Sequence, residues 1–382
     1  MNSKNSILKI SIVNSLIKGV GMMLLFLFGI HFQNIGLSGT EMGILFAIFP
    51  IANIFTILPS GLGTDRLNAK FLIIISLILQ MTRFFGMAFS NNFWIIAILF
   101  FVAGIGQALY KSASEGLFYK TTANEKVEGK IGQFQGFGYL LIGSGMMLSG
   151  YFLAIDFSFQ KIFIIVGILY LILVALAILF LPSNKTAKFE IFHYKKDLSS
   201  AKAIFMLLVV FLFSLHIGAE ITSYGLFLKN NLQLDPLNIG LYMGSAVIIM
   251  AAAVTLMAKY REKIGIKNIL IIGLLLSGSG LILMTVSNPW LSFAFRILHE
   301  IGDSAFFFFL FFGILKLFHL DRVGGNAGFL SFINTIGMTL SSFIFSPLGA
   351  TYGYQWPLII GGITTLGSLG LALLYTQLID HS

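Results

Sequence analysis

Arg296, His299, Glu300 and Asp303 place four ionisable side chains within eight positions of an otherwise apolar run, and His216 and Glu220 stand four apart in another. At mid-bilayer an ionised side chain costs roughly 2.5–3.5 kcal/mol on insertion scales, so such groups face water, a partner or a ligand. Helical spacing gathers them into stripes: Asn14 with Lys18; Gln107, Lys111 and Glu115; His216, Glu220 and Tyr224; Arg296, Glu300 and Asp303. Acids that share a face with histidine and arginine can take up a proton on one side of a membrane and release it on the other. Asp303 and Glu220 are the expected carriers, because each has a histidine four residues before it on its own helix.

The elements that must position these groups follow from composition. Hydrophobic residues make up 57% of the 382 and charged residues 10%, and mean hydropathy is +0.92, whereas a soluble domain carries about 25% charged residues. Twelve apolar stretches have the length of roughly 20 residues that a helix needs to cross a bilayer. They lie near 8–32, 41–62, 70–89, 93–117, 131–155 and 160–181, then near 201–228, 237–258, 268–287, 290–315, 327–350 and 356–378. The expected fold is all-α and multi-pass. The first stretch, too long for a signal-peptide core and without a small-residue cleavage pattern, is expected to stay in the mature chain. Apart from Arg83, every ionisable residue within the stretches (Lys18, Lys111, Glu115, His216, Glu220, Arg296, His299, Glu300, Asp303) lies on the first, fourth, seventh or tenth.

Lysine and arginine fall almost entirely on one set of loops, including Lys4, Lys9, Arg66, Lys70, Lys126, Lys188, Arg261, Lys267 and Arg322, against Lys161 and Lys229 on the other. By the positive-inside rule the first set, with both termini, is cytoplasmic, and the membrane is the cell's inner or plasma membrane. The net charge of +9 then belongs to loops facing an anionic leaflet rather than to nucleic-acid binding. With no cysteine in the chain there is no disulfide and no thiolate metal site.

The chain also repeats itself. Asn92-Phe-Trp94 matches Asn288-Pro-Trp290, and Lys126-Val127-x-Gly129-x-x-Gly132 matches Arg322-Val323-x-Gly325-x-x-Gly328, both displaced by 196 residues. The loop Gly61-Leu-Gly-Thr-Asp65-Arg66-Leu-Asn68-Ala-Lys70 is echoed by Ala258-Lys-Tyr-Arg-Glu262-Lys263-Ile-Gly265-Ile-Lys267 at 197. Two copies of one membrane unit, 1–182 and 201–382, are expected to be joined by a cytoplasmic linker, 183–200, rich in lysine.

These residues resemble the major facilitator superfamily, whose two six-helix halves carry a Gly-x-x-x-Asp-Arg-x-Gly-Arg-Lys loop between their second and third spans. Gly61, Asp65, Arg66 and Lys70 match it, with Asn68 at the second glycine, where asparagine tolerates a left-handed turn. Glu262, Lys263, Gly265 and Lys267 keep the pattern in the second half, while Ala258 replaces the first glycine. The resemblance implies twelve helices in two pseudo-symmetric halves, a cavity lined by spans one, four, seven and ten, and loops whose ion pairs act as gates. Where the family often has an arginine in the fourth span this chain has Phe100, and Arg296 is its equivalent in the tenth. Arg296, His299 and Asp303 are also similar to the basic residue, histidine and acid on the tenth span of lactose-permease-type symporters. The Gly-Pro pair usual in the fifth span of drug/proton antiporters is missing between Ile131 and Ile155.

The expected function is therefore secondary active transport of a small solute by alternating access, as proton-coupled symport, with proton-coupled export of a drug or metabolite as the alternative and a membrane-embedded enzyme or lipid scramblase as a distant one. The expected partners are a small-molecule substrate, protons and the lipid bilayer, with the chain a monomer. No P-loop, no metal-ligand cluster at helical spacing and no Ser/His/Asp set is read, so neither cofactor nor metal is expected. Outside the cavity, Glu115 is weighed as a structural pair with Lys111 and Lys120, Arg83 as a snorkelling or inter-helix residue, His31 as interfacial, Phe306–Phe312 as lipid-facing and packing surface, and Gly132, Gly136, Gly138, Gly143 and Gly145 as sites of close packing.

Overall fold

The computed structural model describes residues 3–122, 127–183, 197–318 and 323–380, of which 3–6, 61–66, 119–120, 122, 127–128, 315–316, 323–324 and 375–380 are described by backbone alone. Most of the expected linker lies outside them. Twelve helices are long and apolar enough to span a bilayer: Ile7–Asn34, Gly39–Ser60, Ala69–Ala88, Phe93–Phe118, Gly129–Ala154 and Phe159–Phe180, then Ala201–Asn230, Pro236–Ile264, Ile266–Leu283, Pro289–Ile314, Gly325–Tyr352 and Gln355–Leu374. They form two pseudo-symmetric six-helix bundles, and they are referred to below as spans one to twelve.

Short polar residues start these helices. Asn92 and Asn288, the paired residues of the repeat, cap spans four and ten by accepting from the backbone N–H of Trp94 (3.0 Å) and Trp290 (3.1 Å). Ser200 caps span seven from Ala203 N and Asp235 caps span eight from Asn238 N. The repeated loops are not identical in detail. Gly265 ends span eight with φ +82°, a conformation open to glycine, but Asn68 is extended at φ −68° and caps span three through its side chain. The expected left-handed turn at Asn68 is absent because an N-cap requires extended backbone.

The halves meet along spans two and eleven and along spans five and eight. Gly143 faces Gly244 so closely that each lacks room for a Cβ against the other's carbonyl, and Gly150 and Gly240 meet Cα to Cα, with the carbonyls of Pro236 and Met146 beside them. Gly132 and Gly136 pack against Ala258 and Thr255, and Gly138 and Gly145 against Lys18 and Gly19 of span one, so the fifth-span glycines do serve close packing. At the end away from the basic loops, Ser346 Oγ donates to Gly39 O (3.0 Å) and Lys229 Nζ donates to Gln33 Oε1 (3.1 Å) and Asn34 Oδ1 (3.2 Å). Towards the basic end, spans five and eight leave a crevice of about 560 Å³ bordered by Gly129, Gln133, Thr255 and Lys259.

Burial decides between readings left open. Arg83 is an inter-helix residue rather than a snorkelling one: it is 5% exposed and its guanidinium lies over the rings of Phe84 (4.3 Å) and Phe28 (5.4 Å). His31 is buried against Phe159 and Phe163 rather than interfacial. In span ten Phe306 and Phe308 are fully buried packing surface, with Phe306 stacked on Phe213 at 3.6 Å, while Phe307 and Phe309 are half-buried.

Candidate functional site

Spans seven and ten bring His216, Glu220, Arg296, His299, Glu300 and Asp303 into one buried set, none more than 7% exposed. The i, i+4 spacing on each helix aims its groups at the other helix. Arg296 pairs with Glu220 across the gap and with Glu300 along its own helix, while its guanidinium lies 4.4 Å from the Tyr224 ring centroid. His216 Nε2 is 3.2 Å from Asp303 Oδ2, and His299 Nε2 is 3.1 Å from Glu220 Oε1 and 3.7 Å from Asp303 Oδ2. Ser277 of span nine donates to Asp303 Oδ1 at 2.6 Å. Three carboxylates thus face one guanidinium.

Local backbone shapes this set. From Glu220 to Tyr224 span seven runs as a π turn, a widening frequent at functional sites. Span one breaks into a 3₁₀ turn at Leu25–Leu27. Displaced by the 196 residues of the repeat, that break falls inside the π turn, and the two touch: a side chain at Gly225 would collide with Phe26 O. Interrupted helices at equivalent positions of the two halves are the hallmark of a binding region in carriers built from repeats.

The remaining expected site residues form a separate group in the first half. Lys18 Nζ donates to Gln135 Oε1 at 2.8 Å and lies over the Phe134 ring at 4.9 Å; the charges within its reach are Glu115 and Lys111, not the acids of span ten. Lys111 and Glu115 are half-buried and line a small recess with Ala327 and Ser331 of span eleven. Gln107 is half-buried one turn above Lys111. Tyr139 of span five comes within electrostatic reach of Asp303 and Glu300. Ser277, Gln135 and Tyr139 are absent from the sequence reading.

In the repeated loops, the side chains at Gly61, Asp65 and Arg66 lie outside the described residues. Lys70 Nζ donates to Ile178 O, a carbonyl in the last turn of span six, at 2.5 Å. Glu262 and Lys263 are exposed, Lys267 and Gly265 half-buried, and Arg261 reaches Glu262 at 3.5 Å and the Phe312 ring at 4.8 Å.

Packing also gathers one ligand atom each from His216, Glu220, His299 and Asp303 to within 4.8 Å of the others. The signal was in the sequence as two His-x-x-x-acid pairs, and only the fold could show that they face each other.

Among known proteins, the chain is 32% identical over 83 residues to the uncharacterised transporter YhjO of Bacillus subtilis, a match covering 22% of this chain and 21% of that relative. It is 22% identical over 358 residues to multidrug resistance protein 2 of Bacillus subtilis, covering 89% and 88%. A further match, 23% identical and covering 58% of each chain, is the quinolone resistance protein NorA of Staphylococcus aureus. The fold superposes on the human organic anion transporter MFSD10 (TETRAN) with a TM-score of 0.73 at 13% identity, over 97% of this chain and 100% of that one. It superposes on the nucleoside transporter NupG with 0.72 at 17%, over 96% and 99%. The family model described as Major Facilitator Superfamily matches residues 10–224 and 206–381, and with both halves so covered the chain belongs to the major facilitator superfamily.

Proposed function

We propose that the protein is a secondary active transporter that exports an organic small molecule in exchange for protons. The observation that carries the coupling is the buried set on spans seven and ten, where Glu220 and Glu300 pair with Arg296 and Asp303 lies against His216 and His299. Three acids and two histidines in a low-dielectric site can take up and release protons, and their position beside the paired helix breaks would link that exchange to the rocking of the halves. Likeness to a multidrug resistance protein along nine-tenths of the chain favours export over the symport read from span ten alone. The Gly-Pro pair missing from the fifth span does not argue strongly the other way, since the Gly143–Gly244 seam supplies close packing there. The duplicated loops would act as gates, with Asp65 and Glu262 as the acids, and the basic loops with both termini would face the cytoplasm.

Inside-out vesicles carrying the purified protein test the reading. An amphipathic aromatic dye added outside such vesicles should enter when their lumen is acidified, and its entry should raise the lumenal pH. Dye movement in the same direction as the proton would return the protein to symport.

A further inference from the structure

His216 Nδ1 lies 2.5 Å from Phe213 O and His299 Nδ1 lies 2.8 Å from Ser277 O. A carbonyl oxygen only accepts, so each Nδ1 carries a ring hydrogen, and Nε2 is the atom left to hold a second proton or, in the neutral ring, to present a lone pair. Both Nε2 atoms are aimed at carboxylate oxygens, and His299 has no exposed surface. A positive centre, a proton on each Nε2 or one metal ion shared by both, therefore stands between the rings and the carboxylates.

We propose that His216, Glu220, His299 and Asp303 form a binding site for one first-row divalent transition-metal ion. A tetrahedral ion with bonds of about 2.0–2.2 Å keeps its ligand atoms roughly 3.3–3.5 Å apart. Three edges of this set measure 3.1, 3.2 and 3.7 Å, and the four atoms all lie within 4.8 Å, so modest closure completes the geometry. The outer contacts are those of a metal centre: each imidazole is oriented by a backbone carbonyl, and Ser277 holds Asp303 Oδ1, leaving Oδ2 for the ion. Charge closes as well. A divalent ion balances Glu220 and Asp303, and Arg296 balances Glu300. Two imidazoles favour ions of the zinc and cobalt type over calcium or magnesium. The site stands whatever the direction of transport.

The test is a titration of the full-length, tag-free protein in lipid nanodiscs, stripped with chelator and followed by the visible ligand-field band of Co²⁺. One Co²⁺ per chain is expected, displaced by one equivalent of Zn²⁺ but not by excess Ca²⁺ or Mg²⁺. Zn²⁺ should also raise the melting temperature of the wild type by mass action. His299→Gln and Asp303→Asn should weaken binding at least 100-fold, and Ser277→Ala, which touches no ion, by about 10- to 100-fold. His31→Gln, at Phe159 and Phe163 and outside the site, should leave the band unchanged. If a ligand variant does not fold, Ser277→Ala carries the comparison. Absence of the band at millimolar Co²⁺, its survival in all three site variants, or equal competition by Ca²⁺ would each overturn the proposal. Since the chain has no cysteine, thiolate ligation cannot produce the band.

Discussion

Arg296 lies within the buried set with Glu220 on one side, Glu300 on the other and the Tyr224 ring beneath. Removing one member of a buried ion pair strands the other, at a cost of about 3–5 kcal/mol. Arg296→Met should therefore lower the melting temperature of the detergent-purified protein steeply, and the triple variant that adds Glu220→Gln and Glu300→Gln should recover most of the loss. Equal loss in single and triple variants would mean that Arg296 acts through packing alone. The six residues of this set were legible in the sequence because charge in hydrocarbon is conspicuous. Ser277, Gln135 and Tyr139 were not, because neutral polar side chains in a span often satisfy only their own backbone, as Ser15 does on Ser11 O and Ser144 on Leu140 O. His31 was misplaced, and the choice between readings for Arg83 and Phe306 was left open, for a related reason: burial is decided by helices distant in sequence.

At the scale of elements, spans one and seven are not straight rods but broken at matching positions, 25–27 and 220–224, with Gly225 seated on Phe26 O. Neither break carries a proline, so periodicity could predict the two helices but not their interruption. Beyond the breaks, Lys229 ties the end of span seven to Gln33 and Asn34 of span one. Hydrogen bonds to a charged group contribute about 1.5–3 kcal/mol each before solvent exposure reduces them, and every 1.4 kcal/mol is roughly tenfold in an equilibrium. Lys229→Ala should thus favour opening at that end. In a chain without native cysteine, Phe26→Cys gives a clean reporter: an impermeant maleimide added outside cells should label it about tenfold faster in the Lys229→Ala background. An unchanged rate would reduce Lys229 to a surface residue. At the opposite end, Asp65→Asn should leave folding and substrate binding intact, slow net transport and alter the same labelling rate. Wild-type transport with unchanged labelling would assign the loop to topology alone.

For the whole molecule, close backbone approaches occur both within and between the halves. Span nine is pressed backbone to backbone against span ten at Gly302 and Ser277 and against span twelve at Gly278 and Gly362, and span one meets span five at Gly19 and Leu141. Between halves the close contacts follow spans two with eleven, five with eight and one with seven, and a crevice parts the second of these towards the basic end. Two packed bodies joined along a few helix pairs are suited to rocking as units. If each half is a folding unit, the 183–200 connection serves as a tether that raises the effective concentration of one half near the other, a role that co-insertion in one membrane partly replaces. Residues 1–190 and 191–382 expressed together should therefore co-purify and export dye at a measurable fraction of the intact rate, whereas either alone should export none. The second half alone contains every ligand of the proposed metal site, all on spans seven and ten, and should still bind Co²⁺. Halves that insert separately but never co-purify would show that the connection does more than tether, and a second half that folds but binds no Co²⁺ would show that the first half's Tyr139 wall is needed to close the site.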